Sequence, residues 1–182
     1  MLNKNMQKHE IEKELNKHGD FIQIDDLIKL LKEDLPLAIK KFCYSRLIEI
    51  YDRKNMFVNS AKIYDVLSII SIAFSEKINY NIREAESYIK FGNFDSADKA
   101  VKKAFNHASS SEKQEIYLTI KIFYKKIAEN YELSMKRNHA VKIYERLLEM
   151  NINEIERKEI KEKLLNLYEK LGKFRELNKL EK

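Results

Sequence analysis

Residues 85–105 read AESYIKFGNFDSADKAVKKAF, and they decide the fold. Gly92 supplies the positive φ of a helix C-terminus, and Asn93 carries the side-chain oxygen that caps a helix N-terminus, so the stretch reads as helix, tight turn, helix. On the second helix Ala97, Val101, Ala104 and Ala108 share one face, small enough for another helix to approach closely.

The rest of the chain is built to the same plan. Three Gly and one Pro in 182 residues make about 2%, where about 12% is usual, so turns are scarce and the elements long. Sheet-rich folds, which need a turn every 8 to 12 residues or so, are disfavoured. Charged residues make up 35% of the chain and are mixed in sign, leaving a net charge of +6, the pattern of a solvated helical surface. The single cysteine, Cys43, excludes an internal disulfide and a cysteine-based zinc site, and its apolar helical setting reads as a buried, inert thiol. The longest largely apolar run, Val66 to Phe74, is far shorter than the 18 or so residues of a membrane span, and MLNKNMQKHE at the start has no apolar stretch of the secretory kind. A cytoplasmic protein without a membrane segment is expected.

Period 3.6 runs through nearly all of it. Leu27, Ile28, Leu31 and Leu35 fall on a short helix, and Pro36 opens a longer one reaching about Arg53. Val58 to Ser75 is apolar on almost every side, which predicts a helix buried on both flanks at the centre of the core. Ser109-x-x-Glu112 and Ser111-x-x-Gln114 are alternative capping boxes for a helix reaching about Met135, with Ile116, Ile120, Phe123, Ile127 and Tyr131 inward. Helices near 138–150, 154–171 and 173–181 complete the count. Residues 1–20 carry only the thin stripe Leu2, Met6, Ile11 and Leu15, and read as an arm or helix that orders by docking.

Four tyrosines reveal an internal repeat. Tyr51, Tyr88, Tyr131 and Tyr168 each close a first helix, at separations of 37, 43 and 37 residues. Around them the chain resembles the tetratricopeptide repeat. The pattern Ala85-x2-Tyr88-x3-Gly92-Asn93-Phe94-x2-Ala97-x3-Val101-x2-Ala104 carries the resemblance, and Tyr168-x3-Gly172-x-Phe174 repeats its turn, with Leu177 where the alanine is expected. The third copy has Tyr124, Ile127, Ala128, Tyr131, Ala140 and Tyr144, with Met135 in place of the turn glycine. The first keeps Tyr44, Leu47, Tyr51, Ser60 and Tyr64. The resemblance covers about residues 41–182, lacks the closing proline and any Trp, and has longer steps than the usual 34 or so. It implies an all-α, right-handed superhelix of about four helix pairs over residues 21–182, preceded by extra N-terminal helices. It also implies a concave groove lined by Glu49, Arg53, Arg83, Glu86, Lys90, Lys125, Lys126, Glu129, Lys163 and Lys170. Glu49, Glu86 and Glu129 stand where the family's clamp for chaperone C-terminal carboxylates has Asn, which argues against that ligand.

No catalytic, metal or cofactor constellation accompanies the repeat. His9, His18, His107 and His139 are scattered, His9-Glu10 is followed by Lys13 where a helical zinc motif needs a second histidine, and no two glycines lie close enough for a phosphate loop. The repeated tyrosines read as helix packing rather than a stacking platform for bases. Residues 99–142 hold ten basic side chains (Lys99, Lys102, Lys103, Lys113, Lys121, Lys125, Lys126, Lys136, Arg137, Lys142) against Glu112, Glu115, Glu129 and Glu132, a balance of +6. The remaining charge is neutral. The expected function is a non-catalytic scaffold that binds a protein or peptide on its concave helical face. The alternative is a nucleic-acid-associated protein using the 99–142 segment. Phe174, Leu177 and Leu180 on the last helix would leave an apolar end for self-association.

Overall fold

The computed structural model describes residues 2–181; Met1 and Lys182, the outermost residues of the two expected segments, lie outside them. Ten helices and no strand occur among the described residues: α1 (Lys8–Leu15), α2 (Asp20–Leu30), α3 (Leu37–Arg53), α4 (Phe57–Ile70), α5 (Phe74–Phe91), α6 (Phe94–His107), α7 (Ser110–Leu133), α8 (Arg137–Glu149), α9 (Glu154–Lys170) and α10 (Phe174–Glu181). Helices α2 to α10 pack mainly on their neighbours in the chain, and α5 also packs on α7.

The four tyrosines mark four turns of one geometry. A positive φ occurs four residues after each: Asn55 at 57°, Gly92 at 84°, Met135 at 57° and Gly172 at 67°. One residue further on, the amides of Met56, Asn93, Lys136 and Lys173 donate to the carbonyls of Tyr51, Tyr88, Tyr131 and Tyr168 at 2.8, 2.9, 2.8 and 2.8 Å. The left-handed residues themselves donate three positions back, to Asp52, Ile89, Glu132 and Glu169. These are the paired 6→1 and 5→2 bonds of a Schellman motif, which satisfy carbonyls that the end of a helix leaves unpaired. The helix pairs α3–α4, α5–α6, α7–α8 and α9–α10 therefore share their turn, hydrogen bond for hydrogen bond.

Helix starts follow their caps. Ser109, rather than Ser111, closes the box at α7: its Oγ accepts from the Glu112 amide while Glu112 accepts from the Ser109 amide at 2.8 Å. Asn153 and Glu156 make a second box at α9. Asn93 caps α6 by accepting from the Ser96 amide at 3.1 Å. Pro36 stands immediately before α3.

The expected centre of the core is not there. The run 58–75 breaks at Ser71–Ala73, α5 begins at Phe74, and Ile69 and Ile72 are 69% and 86% exposed. The buried face of α4 is instead Ser60, Ala61, Leu67 and Ser68, three small side chains that let neighbouring helices come close and one leucine. Two apolar cores lie on either side. One joins Ile11 and Leu15 of α1 with Leu27, Leu30, Cys43, Leu47 and Tyr51. The other runs from Ala85 and Ile89 through Ala104, Ile120, Tyr124, Ala140, Tyr144 and Leu164 to Tyr168. Between them the α4–α5 layer buries Ser60, Ser68, Ser71, Asn81, Glu84 and Ser87. The arm of residues 1–20 thus contributes α1 to the first core.

Candidate functional site

The first helix of each pair, read from its tyrosine, presents a repeated set of charges. Five residues before the tyrosine stand Arg46, Arg83, Lys126 and Lys163; two before it, Glu49, Glu86, Glu129 and Asn166; two after it, Arg53, Lys90, Leu133 and Lys170. The intervals of three and four residues place all three positions on one face of the helix. Along that face the four helices present a basic line, an acidic line and a second basic line.

The lines neutralise one another in large part. Arg46 pairs with Glu49 at 2.6 Å and Arg83 with Glu86 at 2.9 Å, the same i, i+3 bridge in two repeats. Lys90 reaches back to Glu86 at 3.1 Å. In the third pair the bridge crosses helices, Lys163 of α9 lying 3.4 Å from Glu129 of α7, while the same ammonium donates to the Tyr144 hydroxyl at 3.1 Å. Arg53 is drawn to Asp20 at the start of α2. Lys126 and Lys170 have no ion pair among the described residues.

Lys125, one residue from this face, points elsewhere. It meets Glu156 at 2.6 Å, and Lys121 meets the same carboxylate at 3.0 Å. Lys125 first, and then Lys121, hold the Glu156 carboxyl down to about 2. With Lys163 on Glu129, these contacts join α7 to α9 at offsets of 31 to 35 residues, and Tyr117 bonds to Asn151 in the loop before α9. Ile155 of α9 (73% exposed) and Leu118 and Ile122 of α7 (50% and 59%) are large apolar side chains left exposed on these two first helices.

The basic segment 99–142 is divided by the fold. Lys103 of α6 is committed to Asp65 at 2.7 Å and to Glu84 at 2.9 Å, and Lys121 and Lys125 to Glu156. Of the others, Lys99, Lys102 and Lys142 stand on second helices and Lys126 on a first helix, so they do not form one surface. Lys136 packs over the Tyr131 ring, 6.0 Å from its centroid.

The remaining candidates are structural in setting. Cys43 is fully buried, and burial pushes its thiol up to about 11. Tyr51 and Tyr168 are buried, and Tyr131 donates to the Lys90 carbonyl at 2.7 Å, tying the third turn to the second. On α10, Leu177 and Leu180 are half-buried against the second core, leaving Phe174 as the exposed apolar residue at that end. Among the described residues no three His, Cys, Asp or Glu side chains lie together to hold a metal ion, and no helix is long and apolar enough to cross a membrane.

Compared with protein-family profiles, curated proteins and solved structures, the chain matches none of them. Sequence reasoning had missed Arg46 and Glu156. Extending the tyrosine register five residues back finds the first, and the box Asn153-x-x-Glu156 marks the second.

Proposed function

We propose that the four helix pairs wind as a right-handed, tetratricopeptide-like superhelix, and that the face of the first helices is a non-catalytic docking surface for a protein or peptide segment in the cytoplasm. The repeated charge lines at fixed register carry this reading. Arg83, Glu49, Lys126 and Glu129 are exposed and Arg46, Glu86 and Lys163 half-buried, yet Arg46, Arg83, Lys126 and Lys163 keep one sign, and Glu49, Glu86 and Glu129 the other. The shape agrees with it. The accessible surface of 11133 Å² exceeds by about a fifth the ~9,300 Å² of a compact monomer of 21.8 kDa, as a stack of helix pairs must.

Surface ion pairs contribute about 0 to 1 kcal/mol each, so exchanging them for a partner's charges costs little and returns orientation more than affinity. The affinity comes from the exposed side chains of Leu118, Ile122 and Ile155. The segment that fits pairs an apolar anchor with charges of both signs. Lys126→Glu combined with Lys170→Glu tests the surface without breaking an ion pair of the fold. Proteins captured by the wild-type chain from its native lysate after nuclease treatment, and lost with the double variant, support the reading. Partners indifferent to the variant place the interaction elsewhere, and recovery of nucleic acid with a steep salt dependence favours the alternative.

A further inference from the structure

The four turns carry the net charge of the chain. From two to seven residues after each tyrosine they hold eight basic side chains against one acidic, Asp95, a balance of +7 where the whole chain has +6. The later turns lie along one edge. The Tyr131 hydroxyl on the Lys90 carbonyl brings the third turn against the second. Lys121 and Glu129 of α7 meet Glu156 and Lys163 of α9 in the same order along both helices, so the third and fourth turns share an end. Each of these three turns also exposes a large apolar side chain: Phe91 (59%) in the second, Leu133 (83%) and Met135 (65%) in the third, Phe174 (64%) in the fourth.

Helix ends explain part of this charge. Arg53, Lys90 and Lys170 complement the carbonyl ends of the first helices, Arg53 and Lys54 also answer Asp20, and Lys90 answers Glu86. The rest stands at the wrong end of a helix. Lys136 and Lys173 immediately precede α8 and α10, and Arg137 and Arg175 lie in the first turns of those helices. None of the four has an ion pair among the described residues, and the first turn of α8 holds no acidic residue and that of α10 only Glu176. Cations there oppose the helix dipole, and large apolar side chains are disfavoured in water, so the fold accounts for neither. We propose that this edge docks on an anionic lipid surface. Phe91, Leu133, Met135 and Phe174 enter the boundary between headgroups and acyl chains, and the four cations meet the headgroup phosphates and carboxylates. Leu133 and Met135 offer no ring for a base to stack on, which favours lipid over nucleic acid. The edge is made of turns at the ends of the first helices, so the assignment does not rest on the docking face along their sides.

Co-sedimentation of the full chain with vesicles of phosphatidylcholine alone, and of phosphatidylcholine with an equal part of phosphatidylserine, tests the edge. Binding to the mixed vesicles and not to phosphatidylcholine alone is expected. Lys136→Gln, Arg137→Gln, Lys173→Gln and Arg175→Gln together weaken it by about a hundred-fold or more, at about five-fold per cation. The urea midpoint of that variant holds or rises, because two helix N-termini lose opposing charge. Lys99→Glu with Lys142→Glu, on exposed positions of second helices away from the turns, removes the same four units of charge and has much the smaller effect. Leu133→Ser with Met135→Asn weakens binding about ten-fold at unchanged charge, Asn being a residue that tolerates the left-handed backbone at 135. Absence of binding to the mixed vesicles, equal binding to phosphatidylcholine alone, or an equal loss with the Lys99 and Lys142 variant would overturn the assignment. Binding indifferent to Leu133→Ser with Met135→Asn, and displaced by polyuridylate, would overturn it in favour of nucleic acid.

Discussion

At the scale of single residues, the turns show how far a repeat tolerates the wrong side chain. Gly92 and Gly172 occupy a left-handed position that costs an ordinary L-residue about 1–2 kcal/mol; Asn55 is of a type that tolerates it, and Met135 occupies it without that freedom. A Cβ at Gly92 meets nothing within 4 Å, so the cost of Gly92→Ala is conformational alone. Gly92→Ala is predicted to lower stability by about 1 kcal/mol and Met135→Gly to raise it by about 1 kcal/mol, read as shifts of the urea midpoint. An unchanged midpoint in both would remove the turn from the account. The two glycine turns were legible in the sequence from Gly and the following aromatic. The conformation of Met135 was not, since the residue adopts it only because Tyr131, Glu132 and Lys136 close the motif around it.

At the scale of elements, Glu156 does two jobs. It is the third residue of α9 in its capping box with Asn153, and it joins α9 to Lys121 and Lys125 of α7. Its pKa is held at about 2 when folded against an ordinary 4.5. A lowered folded-state pKa adds stability that is present above the ordinary value and lost as pH falls through the folded one. Glu156→Gln, whose amide still reaches the cap, is therefore predicted to be less stable than wild type at pH 7, with the gap closing between about pH 4.5 and 2. Urea midpoints at pH 7, 4 and 2.5 measure it, and a gap constant over that range would contradict the clamp. The helices themselves were legible from period and caps, and the boundary at Gly92–Asn93 falls where the glycine put it. The burial of α4 was not. Its apolar residues outnumber its small ones, but of the apolar ones other than Ala61 only Leu67 is buried, alongside Ser60, Ala61 and Ser68 on the face that lets α3 and α5 come close. Likewise the ten basic residues of 99–142 are countable in the sequence, whereas their partners Asp65, Glu84 and Glu156 are chosen by packing between repeats.

At the scale of the whole molecule, the two cores and the polar layer between them have a mechanical consequence. In a stack whose stability is a sum of units and nearest-neighbour interfaces, opening falls where the interface buries least apolar surface. The interface of α4 on α5 buries unpaired polar groups: Asn81 is 1% exposed with neither side-chain atom bonded, and the buried Glu84 depends on Lys103. Native-state hydrogen exchange in rising urea is predicted to show α1–α3 and α5–α9 as two blocks with different opening energies, dividing within α4. A single block with one energy would show that the polar layer couples the cores rather than separating them. The repeat period of this architecture was readable from four tyrosines; the division of the stack was not, because it rests on which serines and which asparagine face inward. Everything said of the docking face depends on the pairs forming an extended stack. Small-angle X-ray scattering from a monomer peak tests that most directly. A compact chain of this length has a radius of gyration of about 16 Å. The account predicts a clearly larger value with an asymmetric distance distribution, and a radius near 16 Å with a symmetric distribution would contradict it.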